Sequence, residues 1–190
     1  MQDKDYGKYL GSFMMDCFGV IAVYRWQQTG LIFFLLLVIR DFVAAYFFLK
    51  RKPSQSKSSK MQSLVAYASS MMPLIYFAPS EDVTKSLLMV SDLMSILGFL
   101  IVALATLELG TSIGISPANR GLVKSGIYKY IKHPMYTGYV VSEIGMVLVS
   151  PVNSIIFIVS GVLYFKRSSW ESRIIIKSKY EDDSSVQRQT

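Results

Sequence analysis

The longest apolar stretch of the chain, TGLIFFLLLVIRDFVAAYFFL from Thr29 to Leu49, constrains the fold more than any other feature. At about 1.5 Å per helical residue it spans roughly 31 Å, which matches the hydrocarbon core of a bilayer. Its only charged residues are the adjacent Arg40 and Asp41. A soluble helix would combine an apolar stripe with a polar face instead. The stretch therefore predicts a helix that crosses a membrane.

Other apolar stretches predict further crossings. Residues 61–79 and 86–110 are similar in character, whereas residues 9–24 are shorter, contain an acid and form a weaker candidate. Residues 134–167 are long enough to cross twice, with Ser-Pro-Val-Asn at 150–153 as the turn. We therefore expect an all-α integral membrane protein with five or six transmembrane helices and a C-terminal helical hairpin. No cleavage-site pattern follows the N-terminus, so we expect the first apolar segment to be retained.

The basic residues indicate the orientation of the chain. The net charge is +7, and the lysines and arginines cluster in three segments, 50–60, 120–132 and 166–179, whereas residues 80–85 contain two acids and one lysine. By the positive-inside rule the basic segments face the cytoplasm and residues 80–85 face away. The positive charge thus indicates contact with anionic membrane lipids and no nucleic-acid partner.

The scarcity of histidine and cysteine limits the chemistry. His133 and Cys17 are the only residues of their types. A disulfide within the chain is excluded, and so in effect is a zinc or iron site built from His and Cys, so we expect no metal. The chain also lacks the G-x-G-x-x-G fingerprint of a Rossmann cofactor fold.

The segment SGIYKYIKHPMYTGY, residues 125–139, places the sole histidine where a helix should begin. Pro134 suits the first helical turn, so His133 lies at a helix N-terminus, where free N–H groups and the dipole favour an anion. Tyr136, Tyr139 and Glu143 follow at helical spacing and share one face, which should point into the protein because it carries an acid. An interfacial belt of tyrosines explains the same aromatic residues, and the pattern leaves both interpretations open.

Residues 122–139, LVKSGIYKYIKHPMYTGY, resemble the signature L-V-x-x-G-x-Y-x-x-x-R-H-P-x-Y-x-G of the isoprenylcysteine carboxyl methyltransferase and phospholipid methyltransferase family. The arginine of that signature is replaced by Lys132. After the last apolar stretch the family carries an arginine and then a pair of glutamates. This chain has Arg167 and Glu171 there, and Ser172 takes the place of the second acid.

The resemblance implies an integral membrane enzyme that uses S-adenosylmethionine. Its cofactor loop and active site would face the cytoplasm, in a bacterial inner membrane or the endoplasmic reticulum. It also implies a methyltransferase-like cofactor-binding core in 108–181, which follows the transmembrane helices expected in 1–107, while the polar composition of residues 182–190 predicts a disordered tail. The acceptor would be lipophilic or small, resembling either an isoprenylcysteine carboxylate or a phospholipid amine.

The resemblance also assigns roles to residues. Arg167 and Glu171 would be catalytic, with Arg167 orienting the acceptor's acidic group together with the substrate-binding Tyr139 and Glu143. An amine acceptor must lose a proton, for which Glu143 or Tyr136 would be the base. The cofactor-binding residues would be Arg120, Gly121, Leu122, Val123, Gly126, Tyr128, His133, Pro134, Met135, Tyr136 and Glu171.

Two other functions stay open at this point. Membrane sterol reductases resemble the family in their C-terminal region, and the missing second acid would suit a non-catalytic binding protein. For Arg40 and Asp41 we expect a structural role in which Arg40 meets Asp16 or Glu143 on a neighbouring helix, with the lining of an acceptor tunnel as the alternative.

Overall fold

The computed structural model describes the backbone of residues 6–51, 58–112, 114, 123 and 125–187. These residues form helices and turns without a strand, which confirms the all-α prediction. The six α-helices are α1 (Tyr6–Thr29), α2 (Ile32–Lys50), α3 (Lys60–Met71), α4 (Lys85–Leu109), α5 (Pro134–Val149) and α6 (Asn153–Gln187). Short 3₁₀ turns occupy Met72–Ile75, Gly110–Ser112 and Gly126–Lys129.

Two segments of the described chain are long and apolar enough to cross a membrane. They are Ile32–Lys50, which is α2, and Lys85–Ser112, which is α4 with its following turn. Both coincide with stretches predicted to cross. The total of five or six crossings and their arrangement as a C-terminal hairpin remain predictions.

The stretch 61–79 does not form the single long helix that its apolar composition suggested. Helix α3 begins at a capping box, in which Ser59 and Gln62 bond each other's backbone N–H groups, and it ends at Met71. Pro73 lies in the 3₁₀ turn that follows. Proline has no N–H group and its ring clashes with the preceding helical turn, so it ends α3 after 12 residues.

Helices α1 and α2 pack side by side through a short connection. Gly30, with a φ of 68°, and Leu31 separate them, so the chain reverses direction at once. A Cβ atom added to Gly11 would lie 2.8 Å from the ring of Phe48. Ser12 donates to the carbonyl of Ala45 at 3.1 Å. Small residues on α1 therefore let the two helices approach closely.

Helices α4 and α5 approach each other closely at their glycines. A Cβ atom on Gly98 would lie 2.5 Å from the carbonyl oxygen of Gly138, and one on Gly145 would lie 2.7 Å from that of Ser91. The contacts run in opposite directions along the two helices, so α4 and α5 are antiparallel. Small residues at the interface are typical of helix pairs in membranes. This packing fixes α5, which carries most of the candidate site.

Helix α6 starts after a turn at residues 150–152, where the sequence predicted one. Asn153 anchors the start because its buried side chain bonds the backbone N–H and C=O groups of Phe77. The backbone of α6 is helical to Gln187, and the disorder expected of residues 182–190 stays a prediction. Once a helix is nucleated, each added residue gains a backbone hydrogen bond, which lets a polar segment extend it. Residues 188–190 lie outside the described chain.

Candidate active site

Three tyrosine rings form a stack between α5 and α6. Tyr164 of α6 stacks on Tyr136 and on Tyr139 of α5, with ring centroids 5.7 and 5.6 Å apart. Tyr139 and Tyr164 are buried. Glu143 lies on the same face of α5 and also contacts Tyr164. The structure thus brings together Tyr136, Tyr139 and Glu143, which the sequence placed on one face.

The N-terminus of α5 meets the middle of α6 through four polar side chains. The ring of His133 approaches Ser172 at 2.9 Å from Nε2 to Oγ, and its Nδ1 lies 3.8 Å from a carboxylate oxygen of Glu171. The other oxygen of Glu171 accepts a hydrogen bond from the hydroxyl of Tyr136. The two segments that carry the family resemblance, 122–139 and 165–176, therefore meet at this cluster.

The surroundings of His133 disfavour a charge on its imidazole. Burial, and then the positive charge of the neighbouring Lys132, lower the pKa of His133 below its ordinary value. Burial raises the pKa of Glu171, although Arg167 and the hydrogen bond from Tyr136 oppose that shift. Burial also raises the pKa of Tyr128, and the carboxylate of Glu171 adds to the increase. Tyr128 therefore belongs to the same electrostatic environment as the cluster.

Arg167 lies beside the cluster, on the α6 face that carries Tyr164 and Glu171. Its guanidinium carbon is 5.2 Å from the ring centre of Tyr136, and its Nη1 donates to Ser69 of α3 at 2.8 Å. The side chain is almost completely buried. The predicted proximity of Arg167 and Glu171 on one helix face is thus present in the structure.

Glu143 lies deeper between the helices and is fully engaged. Its two oxygens accept hydrogen bonds from Tyr76 at 2.9 Å and from Tyr164 at 2.6 Å. Both Glu143 and Tyr76 are buried. In this arrangement Glu143 holds Tyr164 in place beneath Tyr136, and it contacts the candidate site through that ring.

Arg40 pairs with its own neighbour, which the sequence analysis did not expect. Its Nε donates to Asp41 at 2.8 Å, and a terminal nitrogen bonds the same oxygen. Adjacent Cα–Cβ bonds on a helix diverge by about 100°, but the long arginine side chain folds back to reach the shorter acid. Its guanidinium carbon also lies 5.4 Å from the ring centre of Tyr139, so Arg40 reaches the far end of the tyrosine stack.

The loop before α5 is only partly described. Gly126 has a φ of 53°, and a Cβ atom there would lie 2.1 Å from the carboxylate of Glu108, which accepts a hydrogen bond from Ser125. The acid at the end of α4 therefore fixes this turn against α4. Val123 is half-buried. Among the predicted cofactor-binding residues, Arg120, Gly121 and Leu122 lie outside the described residues.

The remaining predicted residues support the start of α5. Pro134 is buried at the first helical position, and Met135 packs against the group formed by Val102, Tyr139 and Tyr164. The N-cap residue His133 makes no side-chain capping bond to α5. The first backbone N–H groups of the helix are thus not taken by a cap, as an anion-binding helix end requires.

Sequence reasoning missed Tyr164, Tyr76 and Ser69 as members of the site. A signal existed for Tyr164, because Tyr164, Arg167 and Glu171 repeat the i, i+3, i+7 spacing of Tyr136, Tyr139 and Glu143. Tyr76 and Ser69 gave no comparable signal, since they come from a separate segment that only the fold brings near.

The family comparison agrees with this geometry. Residues 87–177 match the model of the isoprenylcysteine carboxyl methyltransferase (ICMT) family. This segment is an ICMT-family domain. It contains α4 except for its first two residues, α5, the described loop residues and the part of α6 that carries Arg167, Glu171 and Ser172. The ICMT family is a family of membrane methyltransferases, which agrees with the two apolar helices that could span a membrane. Comparison with curated proteins and with solved structures gives no significant match.

Proposed function

We propose that the protein is a membrane methyltransferase that transfers a methyl group from S-adenosylmethionine to a lipophilic or small acceptor. The observation that supports this most strongly is the contact between the two family-like segments, His133 with Ser172 and Tyr136 with Glu171. Residues 35 and 39 positions apart in the chain converge at one helix N-terminus within the ICMT-family domain.

The chemistry of these side chains fits the cofactor. The uncapped N-terminus of α5 suits the cofactor's carboxylate, and the Glu171 carboxylate can accept from its ammonium or ribose hydroxyl groups. Tyrosine rings attract cations, as the contact of the Arg167 guanidinium with the Tyr136 ring illustrates, and we propose that an aromatic face of the tyrosine stack lies near the sulfonium. The other cofactor contacts that we propose are Arg120, Gly121, Leu122, Val123, Gly126, Tyr128, His133, Pro134 and Met135.

The proposed role of Arg167 is to position the methyl acceptor for the transfer. When bound, S-adenosylmethionine supplies an electrophilic methyl group whose sulfur leaves as a neutral thioether. Because such a displacement needs alignment more than acid or base catalysis, positioning by the protein can supply much of the rate. Arg167 would orient an acidic acceptor through its planar guanidinium, with Tyr139 beside it. Glu143 would act by holding Tyr164, because both of its oxygens already accept hydrogen bonds.

An acidic acceptor is favoured over an amine. The residue that we propose to bind the methyl acceptor is Arg167. Its positive charge attracts a carboxylate and repels a protonated amine. A carboxylate such as that of an isoprenylcysteine also needs no base. The phospholipid-amine alternative would require Glu143 or Tyr136 to take a proton, but Glu143 already accepts hydrogen bonds from Tyr76 and Tyr164, and Tyr136 already donates to Glu171.

The test of this function is cofactor binding followed by product analysis. Calorimetry on full-length protein in detergent should detect S-adenosylmethionine binding. Incubation with an isoprenylcysteine and isotopically labelled cofactor should then yield a labelled methyl ester by mass spectrometry. A well-folded protein that binds no cofactor would exclude the methyltransferase function. Binding without any labelled product from a carboxylate, an amine or a lipid extract would instead favour the non-catalytic alternative.

Two variants separate the proposed roles. Glu171→Gln should raise the dissociation constant of the cofactor about tenfold or more, since a hydrogen bond to a charged group is worth about 1.5–3 kcal/mol. Arg167→Lys should leave that constant nearly unchanged and reduce turnover, because an ammonium cannot reproduce the planar fork. Lys166→Arg, one residue away in the same helix, is the matched control. Equal losses of cofactor affinity in both variants would refute this division of roles.

We further propose that the active site faces the cytoplasm. The amide of Ser80 bonds the carbonyl of Val149, so the 80–85 connection lies at the opposite end of α5 from His133. Segments 50–60, 110–132 and 168–190 carry most of the lysines and arginines and would share the cytoplasmic side with His133. Single cysteines in a Cys17→Ser background can be labelled with an impermeant thiol reagent. Labelling of 110–132 from the outer face of intact cells would contradict this orientation.

A further inference from the structure

We propose that Ser172 is a positioning residue that holds His133 as the neutral tautomer protonated at Nδ1, directed at Glu171. This inference rests on the proposed cofactor site. It starts from a contact that joins the N-terminus of α5 to α6, between Ser172 Oγ and His133 Nε2 at 2.9 Å.

The tautomer follows from what each ring nitrogen faces. A neutral imidazole carries one N–H and one lone pair. Nδ1 lies 3.8 Å from a carboxylate oxygen of Glu171, which can accept a proton donor but repels a lone pair. Nε2 faces a hydroxyl group, which can donate or accept with equal ease. The favourable combination places the proton on Nδ1 and lets Ser172 donate to Nε2.

The charges around the ring agree with a neutral state. Lys132 adjoins His133 in sequence, and its positive charge opposes a charge on the imidazole. Of the described acidic residues, Glu171 is the one that lies near the imidazole ring. Tyr136 and Tyr128, which lie near Glu171, are uncharged. Burial adds to the cost of a charged imidazole. A hydroxyl at 172 suits this neutral ring, because it supplies a donor without adding charge.

The consequence concerns Glu171. Its one oxygen accepts from Tyr136, and its other oxygen faces the N–H of His133. The hydrogen bond at one oxygen, together with the nearby N–H dipole 3.8 Å from the other, stabilises the ionised carboxylate that the cofactor's ammonium or hydroxyl groups would meet. Ser172 thus acts on the proposed cofactor site through His133, without itself touching the cofactor.

Because the chain has a single histidine, its tautomer can be measured by NMR without overlap from other imidazole signals. Nitrogen-15 NMR of histidine-labelled, full-length protein in detergent should show one imidazole, neutral and protonated at Nδ1 near pH 7. Ser172→Ala should change the Nε2 resonance and mix the tautomers. It should also raise the dissociation constant of S-adenosylmethionine about three- to tenfold, the equivalent of one neutral hydrogen bond.

The conservative variant and a control complete the experiment. Ser172→Thr keeps a hydroxyl and should restore the Nδ1-protonated tautomer. Ser169→Ala, whose side chain bonds only the helix backbone at Phe165, should leave both measurements unchanged. A wild-type imidazole protonated at Nε2, or a Ser172→Ala spectrum identical to wild type, would overturn the inference. The tautomer is read without cofactor, so a wild type that shows it but binds no S-adenosylmethionine would refute the proposed function instead.

Discussion

The hydroxyl of Tyr164 donates a hydrogen bond to a carboxylate oxygen of Glu143 over 2.6 Å. This bond joins α6 to α5 inside the packed helices, while the ring of the same tyrosine stacks on Tyr136 near the N-terminus of α5. Tyr76 bonds the other oxygen of Glu143 and ties in the segment after α3. The polar network in the core and the candidate site above it therefore share one side chain.

Replacing Tyr164 separates the two parts of its role. Tyr164→Phe keeps the stacked ring and loses the bond to Glu143, so we expect the free energy of unfolding to fall by about 0.5–2 kcal/mol with cofactor affinity largely retained. Tyr164→Leu should weaken both. Thermal unfolding in detergent and calorimetry measure the two effects. Tyr130→Phe, at an 82% exposed side chain, is the control and should change neither.

Replacing glycine by alanine should have different effects on stability inside and outside the contact between α4 and α5. At Gly138, alanine would place its Cβ 2.5 Å from the carbonyl of Gly98, so we expect destabilisation of about 1–3 kcal/mol. At Gly161 in α6 no atom lies within 4 Å, and alanine should be neutral or stabilise by up to about 1 kcal/mol through its helix propensity. The same thermal unfolding assay compares them. Equal stability of the two variants would show that α4 and α5 are not in close contact.

The sequence predicted the parts of the site that depend on local geometry. Pro134 and the following apolar residues determined where α5 begins, and helical spacing placed Tyr136, Tyr139 and Glu143 together. The same spacing placed Arg167 and Glu171 on one face of α6. These relationships lie within single helices, where periodicity alone fixes which side chains are neighbours.

Contacts between residues of different segments could not be predicted from the sequence. In the sequence, Ser172 is only the position where the second acid of the family pattern is missing, and the fold then brings it to His133. Nothing in the sequence distinguishes Tyr76 from other tyrosines near a membrane boundary. The break of α3 at Pro73 was visible in the sequence, but apolar composition outweighed it in the prediction. The pairing of Arg40 with Asp41 depends on a side-chain conformation, which spacing does not determine.

The ion pair within α2 should behave as a unit. Asp41 is completely buried, so Arg40→Met would leave a buried acid without its cation and should cost about 3–5 kcal/mol in the free energy of unfolding. The double variant Arg40→Met with Asp41→Leu removes both charges and should recover most of that loss. Unfolding curves for the two single variants and the double variant form the cycle.

That cycle also tests whether Arg40 has more than a structural role. If the pair only supports the fold, the double variant should keep its Michaelis constant for the acceptor. A stable double variant with a raised Michaelis constant would instead favour the acceptor-tunnel alternative, consistent with the position of Arg40 against Tyr139. Additive losses in the three variants would contradict a coupled pair.

The final prediction concerns acid stability, through His133. Its pKa in the folded protein lies below the ordinary imidazole value of about 6.5, because burial and Lys132 oppose the charge. As the pH falls through about 6.5 the unfolded chain takes up this proton first, so the folded state loses stability until the pH passes the folded-state pKa. The pKa of Glu171 is raised by burial, so that group acts in the opposite sense at lower pH. Thermal unfolding of wild type and His133→Asn between about pH 7.5 and 5 isolates the histidine, since asparagine does not titrate. The wild type should lose more stability than the variant across that range, and parallel curves would show that the His133 pKa is the same in both states.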